Sequence, residues 1–402
     1  MRLIIPISFL CFLLSLPAFS LTWPEAKDLA DKNNEQLSSA RLQLETSNWQ
    51  YRRSFSPFLP QLSASAGMSE SSSVKSYSYG LSASQSLFQG MSNYYGLQSA
   101  FANLKYYESS LNKIESDVYY EVRGAYVDLI IAKQTVALQE QILKLRRKNE
   151  ELISMLYKNG KEDIGNNMQA KADVLDAEFS LNSAKRALLL ICLKLSQLLS
   201  SKIEDADKIT EVKLPAKSDF ENLLTNSPSY LMLKYKLEAA EAERAGKYSE
   251  VLPSVSLSGS WRKSGSEWLL SSSSKSWSLN ISYSIFSGGS NIADLFIAGS
   301  TLEKAKKDFS SGAKDLRYAL ESAYIDLANA VDAVKVKKSL LSAAEERAKI
   351  SRVKYINGLI NYDEWDRVEN LLISAQKAML NQQKSALIAE AAYFKSFGGN
   401  IK

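Results

Sequence analysis

At 402 residues, with 45% hydrophobic and 23% charged side chains, the chain has an ordinary water-compatible balance, which excludes a bundle of membrane helices. Its net charge of +5 is small and gathers into no compact Lys/Arg patch, so nucleic-acid binding has no support. Histidine is absent altogether, which removes the commonest general base and a common soft-metal ligand.

Arg2 precedes the apolar run Leu3 to Leu16, followed by Pro17, Ala18, Phe19 and Ser20. Residues 1–20 read as a secretion signal, with cleavage after Ser20 set by the small pair Ala18 and Ser20. Cys11 lies inside the run without the small residue before it that lipid attachment needs. Cleavage leaves Cys192 alone on an apolar helical stretch, where it reads as a small buried hydrophobe. No later segment is long and apolar enough for a transmembrane helix.

The first repeat spans 21–215. Leu21 to Phe55 reads as a helix, capped by Thr22 with Glu25 three residues on and Pro24 in its first turn. From Pro60 the apolar period falls to two. Leu62, Ala64, Ala66 and Met68 alternate with serines, and Tyr77, Tyr79, Leu81 and Ala83 repeat the pattern. This predicts a β-hairpin over 60–88. A long helix over 91–159 comes next, with a seam at Leu111, Ile114, Val118, Val122, Ala125, Leu129, Ala132 and Val136. Such a helix is about 100 Å long at roughly 1.5 Å per residue, so it must lie against other long helices. Asn159-Gly160 stops it. A helix over 170–199 and a linker over Ser200 to Pro215 complete the repeat.

The second repeat, 216–397, restates the first. A helix over Phe220 to Ser249 leads to strands over 253–287, with Trp268 to Ser276 as a loop or strand end and Trp277, Leu279, Ile281, Tyr283 and Ile285 as the second apolar face. A long helix over 289–357, a helix over 364–394 and a flexible tail over 398–402 complete it. Ala125-Tyr126-Val127-Asp128-Leu129 matches Ala323-Tyr324-Ile325-Asp326-Leu327, and Tyr157 and Gly160 match Tyr355 and Gly358. Past the turn, Ser183-Ala184-Lys185-Arg186-Ala187-Leu188-Leu189 aligns with Ser374-Ala375-Gln376-Lys377-Ala378-Met379-Leu380 at a shorter offset. That alignment implies about seven extra residues, one heptad, between Gly160 and Asp173. Tyr126 and Tyr324 read as packing or tube-lining residues.

Strands with one serine face and one apolar face suit a soluble sandwich or a membrane barrel. The secretion signal, the Tyr/Trp/Phe content and the lack of another apolar layer favour the barrel. Four strands are too few, since the smallest such barrels need about eight; cyclic pooling by three subunits supplies twelve. A non-conducting coiled-coil surface stalk with a small membrane sheet is the alternative. No phosphate-binding loop is present, as Gly288-Gly289 lacks the spacing, and no constellation supports an enzyme or a cofactor.

The chain resembles the TolC-like outer membrane efflux proteins over essentially its whole mature length. The residues that carry the likeness are Leu21-Thr22-Trp23-Pro24-Glu25-Ala26, the pairs Leu59-Pro60 and Leu252-Pro253, Leu87-Phe88-Gln89-Gly90 and Ile285-Phe286-Ser287-Gly288. The turns Tyr157-Lys158-Asn159-Gly160 and Tyr355-Ile356-Asn357-Gly358 add to it. The resemblance implies an α plus transmembrane-β fold: a homotrimer with a 12-stranded β-barrel, four strands per subunit, in the outer membrane lipid, continued by a long α-helical barrel across the periplasm. A periplasmic adaptor and an inner-membrane transporter would dock at the far end. The implied role is the passive exit duct of a tripartite efflux or type I secretion system, gated at that end, with cargo selected by the pump. By the repeat alignment, the family's entrance acids fall on Asp173 and Asp176 and on Glu364 and Arg367. Arg367 breaks the acidic pattern and would pair with Asp176 of a neighbouring hairpin. Solvated carboxylates at helix starts are the plainer reading of these positions. Gly160 and Gly358 are turn residues first, and the resemblance adds that adaptor tips pack around them.

Overall fold

The computed structural model describes residues 20–71, 74–207, 212–216, 219–268 and 271–401. The expected secretion signal lies, apart from Ser20, outside the described residues. The chain opens with α1 (Trp23–Asn33), where Thr22 and Glu25 form the expected capping box. The helix expected to run unbroken to Phe55 is divided. Asn34 leaves helical geometry, and its side chain accepts from the N–H groups of Gln36 and Leu37, starting α2 (Glu35–Arg53). The second repeat shows a similar break. Its first helix divides into α5 (Phe220–Thr225) and α6 (Pro228–Lys247), because Ser227 caps and Pro228 takes the first helical position.

Strands β1 (Gln61–Ser71), β2 (Val74–Gln89), β3 (Ser254–Gly265) and β4 (Ser272–Ser282) form one antiparallel sheet in chain order. β4 begins inside the stretch expected as a loop or strand end, and takes the strand-end alternative from Ser272 on, since Ser272, Ser273 and Ser274 pair with Ser264, Lys263 and Arg262. Serine at consecutive positions hides the two-residue period there. Tyr283 and Ile285 lie past the strand's end.

Directly opposed residues share a face, so the register sorts the side chains. One face carries Leu62, Ala83 and Gly259 in one row and Ala64, Leu81 and Trp261 in the next. The other carries cross-strand serine rows, with Ser63 and Ser82 hydroxyls 2.7 Å apart and those of Ser260 and Ser276 2.9 Å apart. Among the described residues no α-helix packs extensively on either face. Leu62, Trp277 and Ile281 are 80%, 79% and 70% exposed, so the single chain has no apolar layer against this sheet.

The long helices are α3 (Ser92–Lys158) and α7 (Ser290–Ile356), each 67 residues. They turn into α4 (Ile164–Leu199) and α8 (Tyr362–Phe397), each 36 residues. The expected heptad insertion is therefore absent: both hairpins keep the offset that relates Gly160 to Gly358 through to the left-handed caps Ser200 and Gly398. α4 also starts before the expected residue 170, at the cap Asp163.

Within the hairpin region α4 packs on α3, α3 on α8 and α8 on α7; nearer the sheet the sequence of neighbours is α2, α3, α6, α7. The principal core lies between, where Val118, Val122 and Tyr126 of α3 meet Ala26, Ala30 and Leu195. Tyr126 is buried and its hydroxyl reaches the carbonyls of Leu21 (2.8 Å) and Asp207 (3.1 Å). Burial pushes that phenol up to about 12. Tyr324 packs edge-on against Phe220 and Tyr393. Cys192 packs against the same core as Tyr126, and burial pushes its thiol up, away from reactivity. The tail is not loose: Ile401 is buried and its carbonyl accepts from the Trp23 indole at 2.9 Å.

Candidate functional site: the hairpin tips

Both reversals are built alike. Gly160 (φ 69°) and Gly358 (φ 70°) occupy the left-handed region that side chains with a Cβ resist. At the first, the Lys161 N–H donates to Leu156 O and the Gly160 N–H to Tyr157 O, a Schellman closure; Leu359 and Gly358 repeat it on Lys354 and Tyr355. Asp163 and Asn361 then cap the returning helices, accepting from Asn166 and Glu364 N–H at 2.9 Å each. Apart from the glycines and their chain neighbours, no described atom lies within 4 Å of where a Cβ would stand at either position, so both turns face open space.

The two hairpins meet through an aromatic plug. Tyr355 stacks on Trp365 at 4.5 Å and 7°, and with Tyr362 they pack against Ile153 and Ala170 of the first hairpin. The Tyr355 hydroxyl donates to Glu162 at 2.5 Å, across the hairpins. Burial and that carboxylate push the phenol well above its ordinary range.

Beside the plug lies a charged lock. Arg146 of α3, with a side chain 10% exposed, donates to Asp366 of α8 at 2.9 Å and also reaches Asn370. The same guanidinium stands 3.5 Å from Asp173 of α4. One cation thus ties three helices. Burial pushes the Asp173 carboxyl above the usual range, against the pull of Gln169 and Arg146. Deeper in α8, Glu369 is buried, and burial pushes its carboxyl up against the attraction of Arg352 and Arg146.

Of the residues named from sequence, Asp173 enters this lock. Asp176, Glu364 and Arg367 are exposed, and no ion pair joins Arg367 to Asp176 within the chain. Because the insertion is absent, the constant offset pairs Glu364 with Asn166 and Asp173 with Leu371, so these acids are not equivalent positions of the two repeats. Arg146, Asp366, Asn370, Glu162 and the plug were missed. The seam itself holds a signal for Arg146: the three-and-four spacing through Val136 and Leu143 continues onto it, and a charge on a packing seam demands a partner.

A family model described as "Outer membrane efflux protein" matches residues 27–201 and 220–399, one block per repeat. Among curated proteins, the probable outer membrane lipoprotein SilC of Salmonella typhimurium is 24% identical over 398 residues, covering 91% of this chain and 83% of its own length. The cation efflux system protein CusC of Escherichia coli O157:H7 is 23% identical over 396 residues, with 92% and 84% covered. A crystal structure of CusC superposes with a TM-score of 0.86 at 20% identity over 94% of this chain and 92% of that one, which establishes the fold. The chain is therefore a non-catalytic outer membrane protein and belongs to the outer membrane efflux protein family, the family of the TolC-like channels.

Proposed function

We propose that this protein is the exit duct of a tripartite efflux or type I secretion assembly, working as a homotrimer. The observation that carries the reading is one arrangement repeated at three levels. The sheet runs β1 to β4 with both edges unpaired, the middle helices run α2 to α7, and the hairpins run α4 to α7. In each the first and last members have a free side. A threefold ring brings β4, α7 and α7 of one copy against β1, α2 and α4 of the next, so one rotation closes all three levels.

The outward apolar side chains fit that closure. Met168, Leu175, Phe179 and Leu193 stand exposed along α4, as do Tyr318, Ile325 and Val336 along α7. The sheet becomes a 12-stranded barrel in the outer membrane, its apolar face to lipid and its serine face to the lumen. The helices form a tunnel through the periplasm. At its far end the aromatic plug and the Arg146 lock hold the hairpins together, and this is the closed gate. A periplasmic adaptor seated on Gly160 and Gly358 and an inner-membrane transporter complete the assembly.

The test is single-channel recording on purified protein, with the mass of the detergent-solubilised particle measured in parallel. A trimer that passes discrete current steps supports the duct. A trimer with no reproducible conductance makes the protein a stalk, and a stable monomer ends the reading altogether.

A further inference from the structure

Among the described residues, the serine face of the sheet carries one charge. On β1 it presents Gln, Ser and Gly, on β2 Ser, Gly and, past the bulge, Gln89, and on β4 Ser and Asn; on β3 it presents serine at every position except Arg262. Arg262 sits toward the Gly265 end of its strand, the end away from the helices. Its row reads Ser65, Gly80, Arg262, Ser274 across the four strands, and the rows on either side hold only serine and glycine. Among the described strand residues no carboxylate shares that face. The Gly80 side of the row is held bare by close backbone approach, since a Cβ there would lie 2.6 Å from the Trp261 carbonyl. The basic residues Lys263 and Lys275 take the opposite, apolar face with Trp261 and Tyr79.

We infer that Arg262 is a specificity-determining residue of the duct: three copies form a cationic ring just inside the outer mouth that favours anionic small molecules, those bearing carboxylate or phosphate groups. This rests on the trimeric duct and on the serine face lining its lumen. Serine hydroxyls both donate and accept, so the wall around the ring is neutral toward cargo of either sign. An arginine in such a wall sets the sign of the local potential, because no carboxylate shares its face among the described strand positions and the nearest acid along the chain, Glu267, lies past the strand's end. The tunnel contributes its own charges at the far end, so the selectivity of the mouth has to be measured locally.

In a Cys192→Ala background, Ser274→Cys places a thiol across from Arg262. The assembled protein in outer membranes is treated with an anionic and with a cationic methanethiosulfonate, and the ratio of their initial rates is compared. Arg262→Gln is expected to lower the anion-to-cation ratio about threefold at physiological ionic strength. Arg262→Lys keeps most of it, and Lys263→Gln, on the other face, leaves it unchanged. An equal ratio with and without Arg262, both reagents labelling readily, overturns the cationic ring and spares the duct. Protection of Ser274→Cys from both reagents while Leu279→Cys is labelled overturns the lumen assignment itself.

Discussion

At the scale of single residues, Arg146 is the side chain that ties α3, α4 and α8 together at the tip and, in the proposed duct, holds the gate closed. Its guanidinium sits nearly buried among Asp366, Asn370 and Asp173, so removing it leaves Asp366 with the Asn370 amide (2.8 Å) in place of a cation and takes the guanidinium donor from the Asn370 carbonyl oxygen. Arg146→Ala should cost about 1.5–3 kcal/mol of tip stability. It should also raise single-channel conductance of the isolated trimer, whereas Arg367→Ala, exposed and unpaired with Asp176, should change it little. Glu369 gives the tip a pH dependence. Its folded carboxyl titrates above the ordinary value of 4.5, so its contribution to stability is full below that value and is lost as pH rises through the folded pKa. Glu369→Gln should therefore raise the thermal midpoint by about 2–4 °C near pH 8. The gain should vanish toward about pH 4, where both states are protonated. Scanning calorimetry at the two pH values checks this, and an equal gain at both would assign the effect to packing.

At the scale of elements, the long rods and their stops were legible in the sequence because a seam without proline and an Asn-Gly stop leave a helix little freedom. The heptad insertion was an error with a physical origin. A seven-residue apolar repeat resembles itself when slid by one heptad, so Ser183 to Leu189 matched Ser374 to Leu380 one heptad out of step with the structure. The site acids inherited that slip, which is why Asp173 was found and its partner Asp366 was not. The broken first helices differ in legibility: Asn34 breaks the first only by capping, whereas Ser227-Pro228 is a readable helix start that the expected unbroken span passed over. For the turns, Gly160→Leu and Gly358→Leu force a Cβ into left-handed geometry, at a cost of about 1–2 kcal/mol each. Trimers should survive that cost while crosslinking to the adaptor falls; loss of trimers instead would make the turns purely structural.

At the scale of the whole molecule, the prediction concerns the free edges. Cysteines placed on β4 and β1, at Ser278 and Ser63 with Cys192 replaced, should yield oxidised trimers on denaturing gels in membranes. No crosslink forms if the sheet closes on anything other than further copies of itself. The serine and aromatic alternation made the sheet legible, but the partner of each edge is a property of the assembly and is written in no single chain.

The uncovered sheet has a consequence for biogenesis. In the proposed trimer its strands gain a covering layer and saturated edges only when three chains and a bilayer come together, so insertion should not precede oligomerisation by any long interval. Newly secreted chains should wait as helical precursors with exposed, sticky ribbons, dependent on holding chaperones. The yield of mature protein should climb more steeply than the first power of expression level until the escort becomes limiting.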